Sequence, residues 1–251
     1  MMPVAATTDG SGVSKIDSWV AAGFLLAGAL AFLGGGRLHP RIGGDLGPVG
    51  SDAFFRGFAH EILNRPGWEA MHALILAGPV LWALGCGGIV RLLPRGAAAL
   101  AEIGRAALLL AAPAWTLAFI LDGFVAPRYA RLLTEASGSP EERFLILGFG
   151  TNQATMALLG GVSVVLMGIA TAALAAALLP TARLISWRGV VGVAGLLTGG
   201  WILIAAAQGE LFPGPFTSEY WMATALAIGL WYGALGSVVW LQGDGEIINA
   251  R

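Results

Sequence analysis

One cysteine, Cys86, and one lysine, Lys15, occur in 251 residues. A single thiol excludes an intrachain disulfide and every zinc or iron–sulfur motif built on several cysteines. A lone lysine ahead of the first apolar run excludes a retinal-type Schiff base inside a helix bundle. Charge is scarce as well: 12% of residues, against about 25% in an ordinary soluble domain. The net charge of −1 offers no basic footprint for nucleic acid. There is no Walker loop, no Gly-x-Ser-x-Gly elbow and no His-Glu-x-x-His. Gly34-Gly35-Gly36 shares only composition with a phosphate loop, because the flanking strand and lysine are missing.

What is present is apolar: 57% of the chain, gathered into continuous stretches. About 20 apolar residues cross a bilayer as a helix, and backbone groups in lipid must find partners within their own segment. The expected fold is therefore all-α: a polytopic membrane protein with spans near 19–38, 71–92, 105–127, 153–179, 187–208 and 220–241. Residues 1–18 read as a disordered cytoplasmic tail, since they lack the basic start and cleavage site of a signal peptide, and 242–251 as a second tail. The charge-free run from Phe144 to Leu179 is too long for one upright span. Its start, Phe144 to Gln153, reads as an interfacial extension.

Arginine sets the expected orientation. Arg91, Arg95 and Arg105 mark the loop after the second span, and Arg183 and Arg188 the loop after the fourth. The loop 209–219 carries Glu210 and Glu219 and no basic residue. Both termini are thus expected in the cytoplasm. The lipid bilayer is the expected first partner, with a larger membrane complex or a homo-oligomer as further ones, and a plasma membrane the expected location.

Within the spans, Gly195-x-x-x-Gly199 and Gly229-x-x-x-Gly233 put small residues on one helix face and allow close packing inside the chain. Trp19, Trp187, Trp221 and Trp240 fall near span ends, where an interfacial aromatic belt forms. Trp82, Trp115, Trp201 and Trp231 fall deeper and read as packing residues.

All three histidines, His39, His60 and His72, lie between the first two long apolar stretches. His39 closes the first span and His72 opens the second. Adjacent antiparallel spans bring them to one depth, on the expected outer side. Two such histidines are a way to hold haem or another tetrapyrrole or a metal ion. His60 sits in Phe54-Phe55-Arg56-Gly57-Phe58-Ala59-His60, a stretch expected to lie on the surface as a short amphipathic helix. Asp122 ends a long charge-free run. A carboxylate in such a place is paired or functional, with Arg128, His39 or His72 as partner. Asn152, Gln153, Gln208 and Glu210 are candidates to complete a polar cluster there.

The elements Gly35-Gly36-Arg37-Leu38-His39-Pro40, Trp68-x-x-x-His72 and Asp122-Gly123 resemble a pattern in uncharacterised bacterial multi-pass membrane proteins. The resemblance covers the first half of the chain. It implies a six-helix bundle and carries no activity. Three functions are in play on these residues. The first is an accessory or scaffold subunit with the polar cluster as a structural staple. The second is a membrane redox or metal- or haem-binding enzyme using His39, His72 and Asp122. The third is a small-solute transporter, against which stands the absence of charge near the middle of most spans.

Overall fold

The computed structural model describes residues 15–39, 46–93, 95–181, 186–207 and 219–243. Six helices among them are long and apolar enough to cross a membrane, so the chain is an all-helical multi-pass membrane protein. The helices are α1 (Lys15–Leu38), α2 (Asp52–Leu63), α3 (Trp68–Leu92), α4 (Ala98–Ile120), α5 (Ala126–Glu135), α6 (Glu142–Leu178), α7 (Trp187–Ala207) and α8 (Glu219–Gly243). A π turn, Leu121–Val125, joins α4 to α5 without a break.

In the bundle, α1 lies against α3 and α8, α3 against α4, α4 against α6, and α6 against α7. Small residues set these approaches. A Cβ on Gly199 would press on Ala172 and the Gly168 carbonyl, and one on Gly229 would press on Leu33. Both small-residue motifs are therefore used for packing within the chain. Trp82, Trp115 and Trp231 are buried, whereas Trp201 is 43% exposed. Trp201 stands outside the core because its face of α7, with Leu197 and Ile204, is turned to the surroundings of the bundle. Trp19 stacks on Trp240 with centroids 5.8 Å apart, and the Trp187 indole N–H donates to Ser237 Oγ. The side chain of Trp221 lies outside the described residues.

Three boundaries differ from the sequence expectation. First, α1 starts at Lys15, so residues 15–18 belong to a helix and not to a tail; Asp17 suits the positive end of the helix dipole. Second, the third span starts at Ala98 and runs on through the π turn to Glu135. Pro127 does not stop it: the wider π turn carries the helix into α5, and the Asp122 carbonyl, five residues before Pro127, takes the Trp68 indole N–H in place of a backbone donor. Third, α6 is one helix of 37 residues from Glu142. At about 1.5 Å per residue it is longer than the roughly 30 Å of bilayer hydrocarbon, and Phe144–Gln153 forms its first turns. Gly148 and Gly150 do not break α6 there, since each is packed, against Tyr129 and Phe55 respectively.

These extensions build a second core at the end of the bundle where α1 stops and α3 starts. Phe54, Phe55, Phe58 and Ile62 of α2 are buried against Ala130 and Leu133 of α5 and Phe149 of α6. Phe58 stacks on Phe149, centroids 5.7 Å apart. The helix α2 is started by Ser51, whose hydroxyl accepts the Phe54 N–H at 3.2 Å, a standard N-cap. Its apolar face thus meets protein and not headgroups. Gly67, at φ 80°, turns the short 64–67 connection into α3 in a conformation that costs other residues strain.

Candidate functional site

The second core roofs a buried polar cluster. His72, in the second turn of α3, is fully buried, and Asp122, in the π turn, is 8% exposed. His72 Nε2 lies 3.0 Å from Asp122 Oδ2. On the other side of the ring, His72 Nδ1 is 2.7 Å from the Trp68 carbonyl oxygen. A carbonyl can only accept, so Nδ1 carries hydrogen and donates. That leaves Nε2 as the atom facing the carboxylate. Two bare acceptors do not rest at hydrogen-bond distance, so a proton or a cation belongs between them.

His39 completes the group. It follows the last turn of α1, half-buried, with its ring centroid 5.0 Å from that of His72 and 5.9 Å from that of Trp68. One ligand atom each from His39, His72 and Asp122 lies within 4.8 Å of the other two. Metal–nitrogen and metal–oxygen bonds are about 2.0–2.2 Å, so the three atoms would have to close in from this spread to share one ion.

The surroundings hold this geometry. Trp68 stacks on His72, centroids 4.7 Å apart, and its indole N–H donates to the Asp122 carbonyl at 2.9 Å. Asn152 Nδ2 donates to the Leu121 carbonyl at 3.2 Å. Two of the π turn's carbonyls are thereby supplied with side-chain donors, while Ala126 N–H reaches back to Leu121. π turns recur at functional sites because the extra residue re-aims side chains. Gly123 presses so closely on His72 that any Cβ there would collide with the His72 side chain. Phe119 closes the far side, 5.7 Å from His72.

One atom is left over: Asp122 Oδ1 is buried with no hydrogen-bond partner. A buried unpaired polar atom costs about 1–3 kcal/mol, more if charged.

The sequence candidates are thus sorted. His39, His72 and Asp122 come together. Arg128 does not join them; it is exposed on α5, because one and a half turns beyond Asp122 is a different helix face. His60 is exposed and bonds to Asn64, 3.0 Å from its Nδ1. Asn152 takes part through the π turn. Gln153 is buried beside it in sequence, with neither amide atom paired. Gln208 and Glu210 lie outside the described residues. Sequence reasoning missed the roles of Trp68 and Gly123. The four-residue spacing of Trp68 and His72, one helical turn, was the signal for the first.

No protein-family model, no curated protein and no solved structure matches the chain.

Proposed function

We propose that this chain is a membrane-embedded metal-binding protein, with His39, His72 and Asp122 as ligands of a first-row divalent ion. The observation that carries this reading is the convergence of one ligand atom from each of the three residues within 4.8 Å. Supporting it is the second hydrogen bond of His72. A metal-bound histidine commonly donates its other ring N–H to a carbonyl or carboxylate, which fixes its tautomer, as Nδ1 does to Trp68 here. The mixed nitrogen and oxygen donor set suits iron, manganese, cobalt or zinc better than calcium or copper(I).

A scaffold role alone is less well supported. A staple between α3 and the π turn needs His72 and Asp122 only, and it leaves the buried Asp122 Oδ1 unpaired. Membership of a larger membrane assembly remains compatible with metal binding. A bis-histidine tetrapyrrole also fits less well. The two rings meet edge-on at 5.0 Å, and His72 Nε2 is turned to Asp122 and not across a gap that a macrocycle could fill. The arginines of the short loops support both termini in the cytoplasm and the cluster at the outer face, and the resemblance of the first half of the chain supports a bacterial plasma-membrane location.

Elemental analysis of the purified protein, reconstituted with each ion in turn, tests the reading. One ion per chain is expected in wild type and in His60→Ala, and background levels in His39→Ala and Asp122→Asn. A wild-type protein that takes up none of these ions sinks it.

A further inference from the structure

Asp17 and Arg91 stand at the same end of the α1–α3 pair, the end away from His39 and His72. Each lies in the terminal turn of its span, at the depth of lipid headgroups. From this charged mouth a groove of about 210 Å³ runs inward between the two helices. Its walls are apolar: Val20 and Phe24 of α1 and Leu84 of α3. Val20 and Leu84 are exposed, so the groove opens to the surroundings of the bundle. Its floor is made of small residues. Gly88 serves the packing of the helices, since a Cβ on it would strike Ala21. Gly87 does not: a Cβ there would meet nothing within 4 Å. A glycine inside a helix is destabilising relative to alanine, and here it leaves the floor of the groove bare.

Charged at one end and apolar along the rest, the groove has the layout of an amphiphile. We propose that it holds one phosphatidylethanolamine, with the head on Arg91 and Asp17 and the upper part of an acyl chain over Gly87. The inference is independent of the metal reading. Charge complementarity selects the head. The Arg91 guanidinium offers a planar fork of donors that suits a phosphate. The Asp17 carboxylate beside it opposes a further negative charge, which disfavours a purely anionic lipid. It favours an ammonium that carries N–H donors. Its two oxygens accept several hydrogen bonds, so the ammonium joins the contact that Asp17 already has. A quaternary ammonium has no N–H and is recognised by aromatic faces, and the aromatic residue of this groove, Phe24, lies two turns deeper than Asp17. The apolar walls, inside spans that cross the bilayer, favour a lipid over free phosphate.

Native mass spectrometry of the full chain, delipidated in detergent, tests this with added dioleoyl phosphatidylethanolamine, phosphatidylglycerol or phosphatidylcholine. One phosphatidylethanolamine per chain is expected to bind about tenfold more tightly than the other two lipids, the discrimination that one hydrogen bond to a charged group supplies. Arg91→Gln should weaken it by about the same factor. Asp17→Asn should bring phosphatidylglycerol level with phosphatidylethanolamine, a change of preference that loss of folding cannot produce. Gly87→Leu should fill the groove and exclude the lipid. Gly200→Leu, on α7 and with equally open space at its Cβ, should retain it. Equal binding of the three lipids by wild type, or a preference for phosphatidylglycerol or phosphatidylcholine, overturns the proposal. So does an unchanged preference in Asp17→Asn, or full binding by Gly87→Leu.

Discussion

Trp115 donates its indole N–H to the carbonyl of Ile75 at 3.2 Å. That carbonyl lies one helical turn before Pro79, inside α3. Proline has no N–H, so the Ile75 oxygen is the acceptor that Pro79 leaves without its helical donor. A side chain of α4 thus repairs a defect in α3, in a setting with no water to do so. Trp115→Phe is expected to destabilise the protein by about 1–3 kcal/mol. Adding Pro79→Ala returns the missing N–H and should recover much of the loss. Unfolding of the two single variants and the double variant in one detergent measures the coupling; additive effects would refute the repair.

Gly123→Ala is expected to displace His72, because the new Cβ collides with the His72 side chain. Overpacking of this kind costs roughly 1–3 kcal/mol, and metal uptake should fall with it. Gly160→Ala is the control: its Cβ would meet only Ala118, at an ordinary 4.0 Å. Equal behaviour of the two variants in unfolding and metal assays would contradict the close approach at Gly123.

Trp68→Phe keeps a ring over His72 and removes the bond to the Asp122 carbonyl. Outer partners of this sort typically contribute 10–100-fold, roughly, to metal affinity. Weakened binding with one ion per chain retained at saturation is the expected result, read by competition with a chelator. Unchanged affinity would reduce Trp68 to a packing residue.

Phe58→Ala should loosen the second core, where Phe58 is fully buried among Phe54, Trp68 and Phe149. Truncation of a buried phenylalanine costs about 3–5 kcal/mol. The loss should be local, so hydrogen exchange is expected to rise across 52–63 and 126–135 and stay low in α7. Uniform exchange across the bundle would show instead that the two cores unfold together.

The orientation can be read with thiol reagents, since Cys86 is fully buried and silent. Ser137→Cys and Gly96→Cys place exposed thiols at opposite ends of the bundle. With both termini in the cytoplasm, an impermeant reagent labels position 137 in whole cells, and position 96 only after lysis. The reverse pattern would invert the topology.

Much of the site was legible because its signals are local. Asp122 stands alone after a charge-free run, and His39 and His72 sit at facing ends of neighbouring spans. The ends of elements were less legible. The expected spans ended at 127 and began at 153, yet the π turn carries one helix on past Pro127, and α6 starts at Glu142 with Gly148 and Gly150 packed on Tyr129 and Phe55. Propensity describes a residue's average surroundings, and these positions have particular ones.

Apolar length and scarce charge alone determined that the chain is a helical multi-pass membrane protein, because lipid leaves the backbone no other way to satisfy its hydrogen bonds. The order of residues also placed His39 and His72 at the ends of neighbouring spans. The tertiary structure decided which of them meet. Only the crossing of α1, α3 and the π turn brings His39, His72 and Asp122 within reach of one ion, and turns Arg128 and His60 outward. That outcome depends on helix rotation and close approach, at Gly123 above all, and neither is written in the order of the residues.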